Sequence, residues 1–218
     1  MKRKISVALQ IFGAGVAVFV IYNFIIVVSA RKETPLIVEK ALQSEAMRLE
    51  LADLTREQRH ILLKVQDPNF YYHKGYDFST PGTGLTTISQ GLVKIFYFDD
   101  FKPGVQKIKQ TLIARFAFDA LTPKDTILKL FINKVYLGHH QGKAVNGFED
   151  ASRIYYSKSF NQLSEAEYLS LVAMIRAPAT FHCIAHKNEN QLRVSRIKTM
   201  LAGDYVPADN SDWLYDRK

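Results

Sequence analysis

The sequence is short of cysteine: Cys183 is the single one in 218 residues, so an internal disulfide is excluded. No CxxC or paired Cys/His spacing suggests a metal site. The thiol is expected to act as a small buried hydrophobe. No internal repeat or low-complexity tract appears, and 47% apolar residues exclude a disordered chain. One folded domain with an appendage is the simplest organisation. Acids are outnumbered, 21 Asp and Glu against 29 Lys and Arg, for a formal charge of +8. Such a surplus attracts polyanions, with anionic lipid head groups, pyrophosphates and nucleic acid as candidates that charge alone does not separate.

The longest gap in charge lies near the N-terminus, where Ile5 to Ala30 contains no charged residue. About 26 residues at roughly 1.5 Å each make a helix of nearly 39 Å, enough to cross a bilayer with some tilt. Met1-Lys2-Arg3-Lys4 precedes the run and argues for a cytoplasmic N-terminus, with everything beyond Ala30 on the outer side. Arg31 and Lys32 weaken that asymmetry without reversing it. Val28-Ser29-Ala30 also resembles a signal-peptide cleavage site, yet the run exceeds the usual apolar core of roughly 7 to 15 residues, so a retained anchor is favoured. The organisation expected is a basic head over 1–4, a transmembrane anchor over 5–30, a folded domain over 31–202 and a tail over 203–218.

Beyond the anchor the pattern is mainly helical. Thr34-Pro35 predicts a break in the long helix, followed by an amphipathic segment ending before Thr55. Thr55-Arg56-Glu57-Gln58 reads as a capping box opening the helix that carries Ile61, Leu62, Leu63 and Val65. Ser79-Thr80-Pro81-Gly82-Thr83-Gly84 marks a loop. Further helices are expected near 86–97, 105–121, 123–135, 147–156 and 164–175, with Thr122-Pro123 and Ser164 as clear openings. His139-His140 reads as a loop pair without the i, i+4 spacing of a helical metal site.

Five blocks then occur in an informative order. They are Gln66-Asp67-Pro68-Asn69-Phe70 with His73, Gly75 and Asp77; Gly84-Leu85-Thr86-Thr87-Ile88-Ser89-Gln90-Gly91 with Lys94; and Gln106-Lys107-Ile108-Lys109-Gln110 with Ala114. The last two are Lys124 to Asn133, and Gly147 with Ala151, Tyr155-Tyr156 and Lys158. In this order the chain resembles the peptidoglycan glycosyltransferases that polymerise lipid II, either as monofunctional enzymes or as the polymerase domain of class A penicillin-binding proteins. The resemblance runs from about Leu42 to Ala202 and implies a single lysozyme-like helical domain. It also implies lipid II or glycan strands as ligands, and a place at the cytoplasmic membrane, single-pass, with the domain on the periplasmic or extracytoplasmic side. Mg²⁺ as a cofactor and other cell-wall synthesis proteins as partners follow from the resemblance alone. Nucleic acid is not expected.

In that family a glutamate opens the first block as general base, taking a proton from the sugar 4-hydroxyl that attacks the anomeric carbon, and a second glutamate in the third block assists near the lipid pyrophosphate. Here both positions are amides, Gln66 and Gln110. An amide can hydrogen-bond a sugar, but it has no proton equilibrium near neutral pH. Gln106 likewise replaces the expected arginine beside Lys107, and the segment between Asp77 and Gly84 is shorter than the family's mobile loop.

Asp67 and Asp77 remain as candidate acids, with Glu149 as another whose packing role is favoured. The candidate binding set is His73, Thr87, Ser89, Gln90, Lys94, Lys107 and Lys109, the lysines facing pyrophosphate and the hydroxyls and amide donating hydrogen bonds. His73 is expected to serve structure rather than proton transfer, and Asn133 and Tyr155 to belong to the scaffold. The leading expectation is a membrane-anchored family member that binds lipid II or glycan with impaired or absent catalysis. One alternative is an active polymerase using Asp67, Asp77 or Glu149. The other is a structural or regulatory partner of envelope proteins with a vestigial cleft. A glycan hydrolase would need two carboxylates flanking the bond, and the same missing acids count against it.

Overall fold

A computed structural model describes residues 2–217, with side chains from Leu9 onward. The side chains of the basic head Met1 to Lys4, and Lys218 at the end of the tail, lie outside the described residues. Helix α1 spans Lys2–Leu42. From Leu9 it presents apolar side chains to the outside on every side, Phe12 and Val18 among them, and it is long and apolar enough to cross a membrane. Contrary to expectation, α1 runs straight through Pro35. Proline removes one backbone donor, but tertiary contacts hold the helix on both sides of it. Thr34 Oγ1 donates to Ala30 O (2.5 Å) and meets Tyr97 Oη (2.6 Å), while the Arg31 guanidinium donates to Phe116 O. Ala30 and Thr34, one turn apart, are buried, and this small-residue face packs the anchor's end onto the domain.

The domain opens with α2 (Arg56–Gln66) and α3 (Ile88–Tyr97), each started by a complete capping box, Thr55 with Gln58 and Thr87 with Gln90. The predicted helix over 105–121 forms as α4 (Val105–Ile113), a π-helical stretch (Ala114–Phe118) and a short α5 (Asp119–Leu121). Then come α6 (Lys124–Lys134), a hairpin of β1 (Tyr136–His140) and β2 (Lys143–Asn146), α7 (Phe148–Tyr156), α8 (Glu165–Met174) and α9 (Lys187–Ala202). The architecture is mainly α. His139-His140 lies on β1, not in a loop, because Gln141-Gly142 closes a two-residue turn with positive φ at both positions (50° and 75°), a geometry that suits strand twist.

The core sits between α2, α3, α6, α7 and α8. Tyr168, Phe148 and Phe160 are fully buried against one another, with ring centroids 5.5 and 5.9 Å apart. Each such ring removed from water contributes about 1.5–3 kcal/mol. Asn133 ties α6 to the segment after α1: its Oδ1 accepts from the Arg48 and Leu49 amides (2.8 and 2.9 Å), and its Nδ2 donates to Leu49 O and Lys129 O (2.9 and 2.8 Å).

Candidate functional site

The loop after α2 is built from hydrogen bonds before it can present anything. Asp67 is buried, its Oδ2 accepts from the Ile88 amide (3.0 Å) at the start of α3, and its Oδ1 meets His73 Nε2 (2.8 Å). The Gly75 amide donates to His73 Nδ1 (3.1 Å), which leaves Nε2 as the donor to Asp67. Gly75 itself has φ +92° and lies so close to the π-helical stretch that an added Cβ would stand 2.5 Å from Ala114 O. Thr87 Oγ1 donates to Gly75 O (2.8 Å) while accepting from the Gln90 amide (3.2 Å). The ends of α2, α3 and α4 are thereby locked around one corner.

That corner forms one wall of a cavity of about 560 Å³. Gln66, half-buried at the end of α2, lines it together with Gln110 from α4, Lys94 from α3, Lys107 from α4 and Arg176 just past α8. Thr86, Thr87 and the ring of Phe101 also line it. The lining contains three cations and not one carboxylate. Among the described residues none of the three cations takes part in an ion pair.

Lys107 Nζ donates to Thr86 Oγ1 (3.0 Å). Burial, and then the charges of Arg176 and Lys94, lower its pKa to about 8. Lys94 Nζ sits 5.4 Å from the centroid of the Phe101 ring. Gln110 is buried, its Nε2 donating to Gln90 O (2.6 Å) and its Oε1 left without a partner.

The cavity therefore gathers Gln66, Gln110, Thr87, Lys94 and Lys107 from the expected set. It does not gather the others. Ser89 is fully buried on the far side of α3 and donates to Asp119 Oδ2 (2.6 Å). That carboxylate also pairs with Lys124 (2.7 Å), so Ser89 serves the core and not the cleft. Gln90 is equally buried, its Oε1 on the Thr87 amide and its Nε2 on Thr111 Oγ1 (2.8 Å). Lys109 turns away to the ring of Phe98 (5.1 Å). His73 and Asp77 line a separate open groove with Tyr72, Tyr76 and Phe78.

The candidate acids are all engaged elsewhere. Asp67 has both oxygens occupied, as above. Burial works to raise the pKa of Asp77, but hydrogen bonds from Thr80, from the amide and hydroxyl of Ser79 and from Asn69 prevail and hold it well below the usual carboxylate range. Glu149 accepts from Arg153 Nε (2.6 Å) and the Phe160 amide (2.8 Å) and does not line the cavity. Arg176 escaped the sequence reading: it stands in a turn after α8 with no spacing to a motif, and only the packing of that turn brings it to the cleft.

A family model described as transglycosylase matches residues 35–202, most of the chain. The chain belongs to the transglycosylase family. It is 29% identical over 164 residues to a protein of Cupriavidus necator that carries the transglycosylase name, covering 69% of each. It is 28% identical over 162 residues to penicillin-binding protein 1F of Bacillus subtilis, covering 68% of this chain and 22% of that one. Against penicillin-binding protein 1A of Neisseria gonorrhoeae the identity is 28% over 156 residues, 66% of this chain and 19% of that one. The chain thus spans about a fifth of the length of these penicillin-binding proteins. All five sequence blocks fall inside the transglycosylase match, and α1 up to Thr34 and the tail after Ala202 fall outside it.

The cleft also bears on the divalent cation that the transglycosylase resemblance implies. Magnesium takes hard oxygen donors, typically one or two carboxylates with water and substrate phosphate. A lining of three cations, amides and hydroxyls does not fit a resident Mg²⁺, and the described residues hold no cluster of three His, Cys, Asp or Glu side chains.

Proposed function

We propose that this protein is a membrane-anchored transglycosylase-family member of the cell envelope that grips the pyrophosphate end of lipid II or of a growing glycan strand, with polymerisation impaired or lost. One observation carries the reading: a cleft with Lys94, Lys107 and Arg176 on its walls and no carboxylate. Cations that line a cleft without acidic partners attract an anion, and ammonium and guanidinium groups form their strongest hydrogen bonds to phosphate oxygens. Gln66, at the position where the family places its base, can hydrogen-bond a sugar hydroxyl but cannot take its proton. General-base assistance is commonly worth about 10²- to 10⁴-fold in rate, so grip outlasts turnover.

The engagement of Asp67, Asp77 and Glu149 argues against a replacement acid, since each would have to abandon several hydrogen bonds before reaching the cleft. The test is a polymerisation assay with labelled lipid II on the purified full chain, beside a calorimetric titration with inorganic pyrophosphate. Pyrophosphate binding without glycan growth is expected. Sustained chain growth, in a preparation free of contaminating synthases, overturns the reading; absence of both favours the vestigial cleft.

A further inference from the structure

The tail after Ala202 lies outside the transglycosylase match, yet it is stitched to the rim of the cleft. The Gly82 amide donates to Asp209 O (2.8 Å) and the Gly84 amide to Asn210 O (2.6 Å). Asn210 Nδ2 donates to Phe78 O (2.8 Å) and Tyr215 Oη to Gly82 O (3.2 Å). These bonds hang the tail on the shortened loop over 78–84, and they bring Trp213 to the cleft arginine. The Arg176 guanidinium carbon lies 5.3 Å from the centroid of the Trp213 ring, and its Nη2 donates to Thr83 O. Gly84 is where the guanidinium passes: a Cβ there would stand 2.0 Å from Arg176 Nη2. Another arginine, the buried Arg193, stacks on the same Trp213 ring at 5.5 Å and on Tyr215 at 4.6 Å.

Arg176 is held beside Lys94 and Lys107, whose like charges oppose its presence. A carboxylate could hold it there but would cancel the charge that the site needs. A carbonyl oxygen and an aromatic face attract a guanidinium without neutralising it. We infer that Trp213 is the positioning residue for Arg176, so that the tail completes the anion-binding cleft where the shortened loop no longer encloses it. This deepens the pyrophosphate reading above and rests on it for the ligand, although the positioning itself can be measured without one.

The experiment uses the full chain in detergent micelles, as wild type, Trp213→Leu and Trp213→Phe. Leucine keeps apolar packing and removes the π face, whereas phenylalanine keeps a π face. Two readouts are taken: affinity for inorganic pyrophosphate, and the titration of the Lys107 side chain by NMR with labelled lysine, assigned by its disappearance in Lys107→Arg. In Trp213→Leu, pyrophosphate binding is expected to weaken about tenfold, the scale of one lost charge-assisted hydrogen bond. The Lys107 midpoint is expected to rise above its starting value of about 8, because Arg176 no longer stands beside it. Phenylalanine is expected to restore both toward wild type. A Trp213→Leu protein that melts like wild type and keeps the Lys107 midpoint overturns the inference, since packing alone would then suffice. If Trp213→Leu does not fold, Trp213→Met takes its place under the same two readouts: a raised Lys107 midpoint supports the inference, and a folded Trp213→Met with the wild-type midpoint overturns it. A wild type that fails to bind pyrophosphate, while Lys107 responds to Trp213→Leu, overturns the ligand assignment and leaves the positioning role standing.

Discussion

At Gln110 the amide nitrogen donates to the Gln90 carbonyl at 2.6 Å, inside a site with almost no exposure. An ionised glutamate there would set an oxygen against an oxygen, whereas at Gln66, half-buried on the cavity wall, a carboxylate would meet solvent and nearby cations. Gln110→Glu is therefore expected to destabilise the protein by about 1–3 kcal/mol, the penalty of an unsatisfied buried group. Gln66→Glu is expected to stay within about 0.5 kcal/mol of wild type in a denaturant melt, as substitutions that break no buried hydrogen-bond network do. In the lipid II assay, Gln66→Glu is expected to raise turnover by about 10²-fold or more, through the restored base; a folded variant without turnover would mark the cleft as vestigial. Lys107 supplies a pH signature. Its pKa in the free protein is lowered to about 8 by burial and by Arg176 and Lys94, and only the protonated form attracts an anion. Pyrophosphate affinity should accordingly fall as pH rises through about 8, and the fall should be absent in Lys107→Arg, since arginine stays charged. Calorimetry across pH 6.5–9.5 reads both.

Caps made the starts of α2 and α8 legible, since Thr55 and Ser164 each find their partner three residues on, whereas the box of the same form at Thr87 and Gln90 that opens α3 emerged only in the structure. The π-helical stretch at Ala114–Phe118 was not legible. Nothing local demands it, but it forms where the chain meets Gly75 at backbone contact distance. Gly75→Ala combines a left-handed φ of +92° with an approach of 2.5 Å to Ala114 O, so a loss of more than about 2 kcal/mol in a thermal or denaturant melt is expected. Asn133 behaves as an element-level clamp, its amide joining α6 to residues 48–49. Asn133→Ala would strand two backbone donors and a carbonyl, and a loss of about 2–3 kcal/mol is expected from the same kind of melt. Much of the motif set thus turns out to be framework: Asp67, His73, Gly75, Thr87 and Gln90 join elements at the corner behind the cleft.

Across the whole molecule, α1 and the domain are one continuous piece, because the helix passes Pro35 and packs its Ala30 and Thr34 face against the π-helical stretch and α4. An apolar surface of this length uncovered by protein is suited to lipid. The full chain is expected to stay in the membrane fraction after an alkaline carbonate wash and to leave it only with detergent. Protease added outside spheroplasts is expected to reach the domain, in keeping with the basic head on the cytoplasmic side. Cleavage only after lysis would reverse the topology.

By itself the sequence determined the family, the helical class and the long apolar stretch of α1, and raised the expectation of amides where the family's acids stand, because all of these are matters of residue type and spacing along the chain. Only the tertiary structure decided which motif residues face the cleft, since Ser89 and Gln90 differ from Thr87 by a rotation around one helix, and Lys109 from Lys107 by a rotation around another. It also decided that the cleft is a basic one free of acids, that Arg176 lines it, and that Trp213 stands against that arginine. Those two come from distant turns, and long-range packing, which leaves no periodic trace in a chain, is what brings them together.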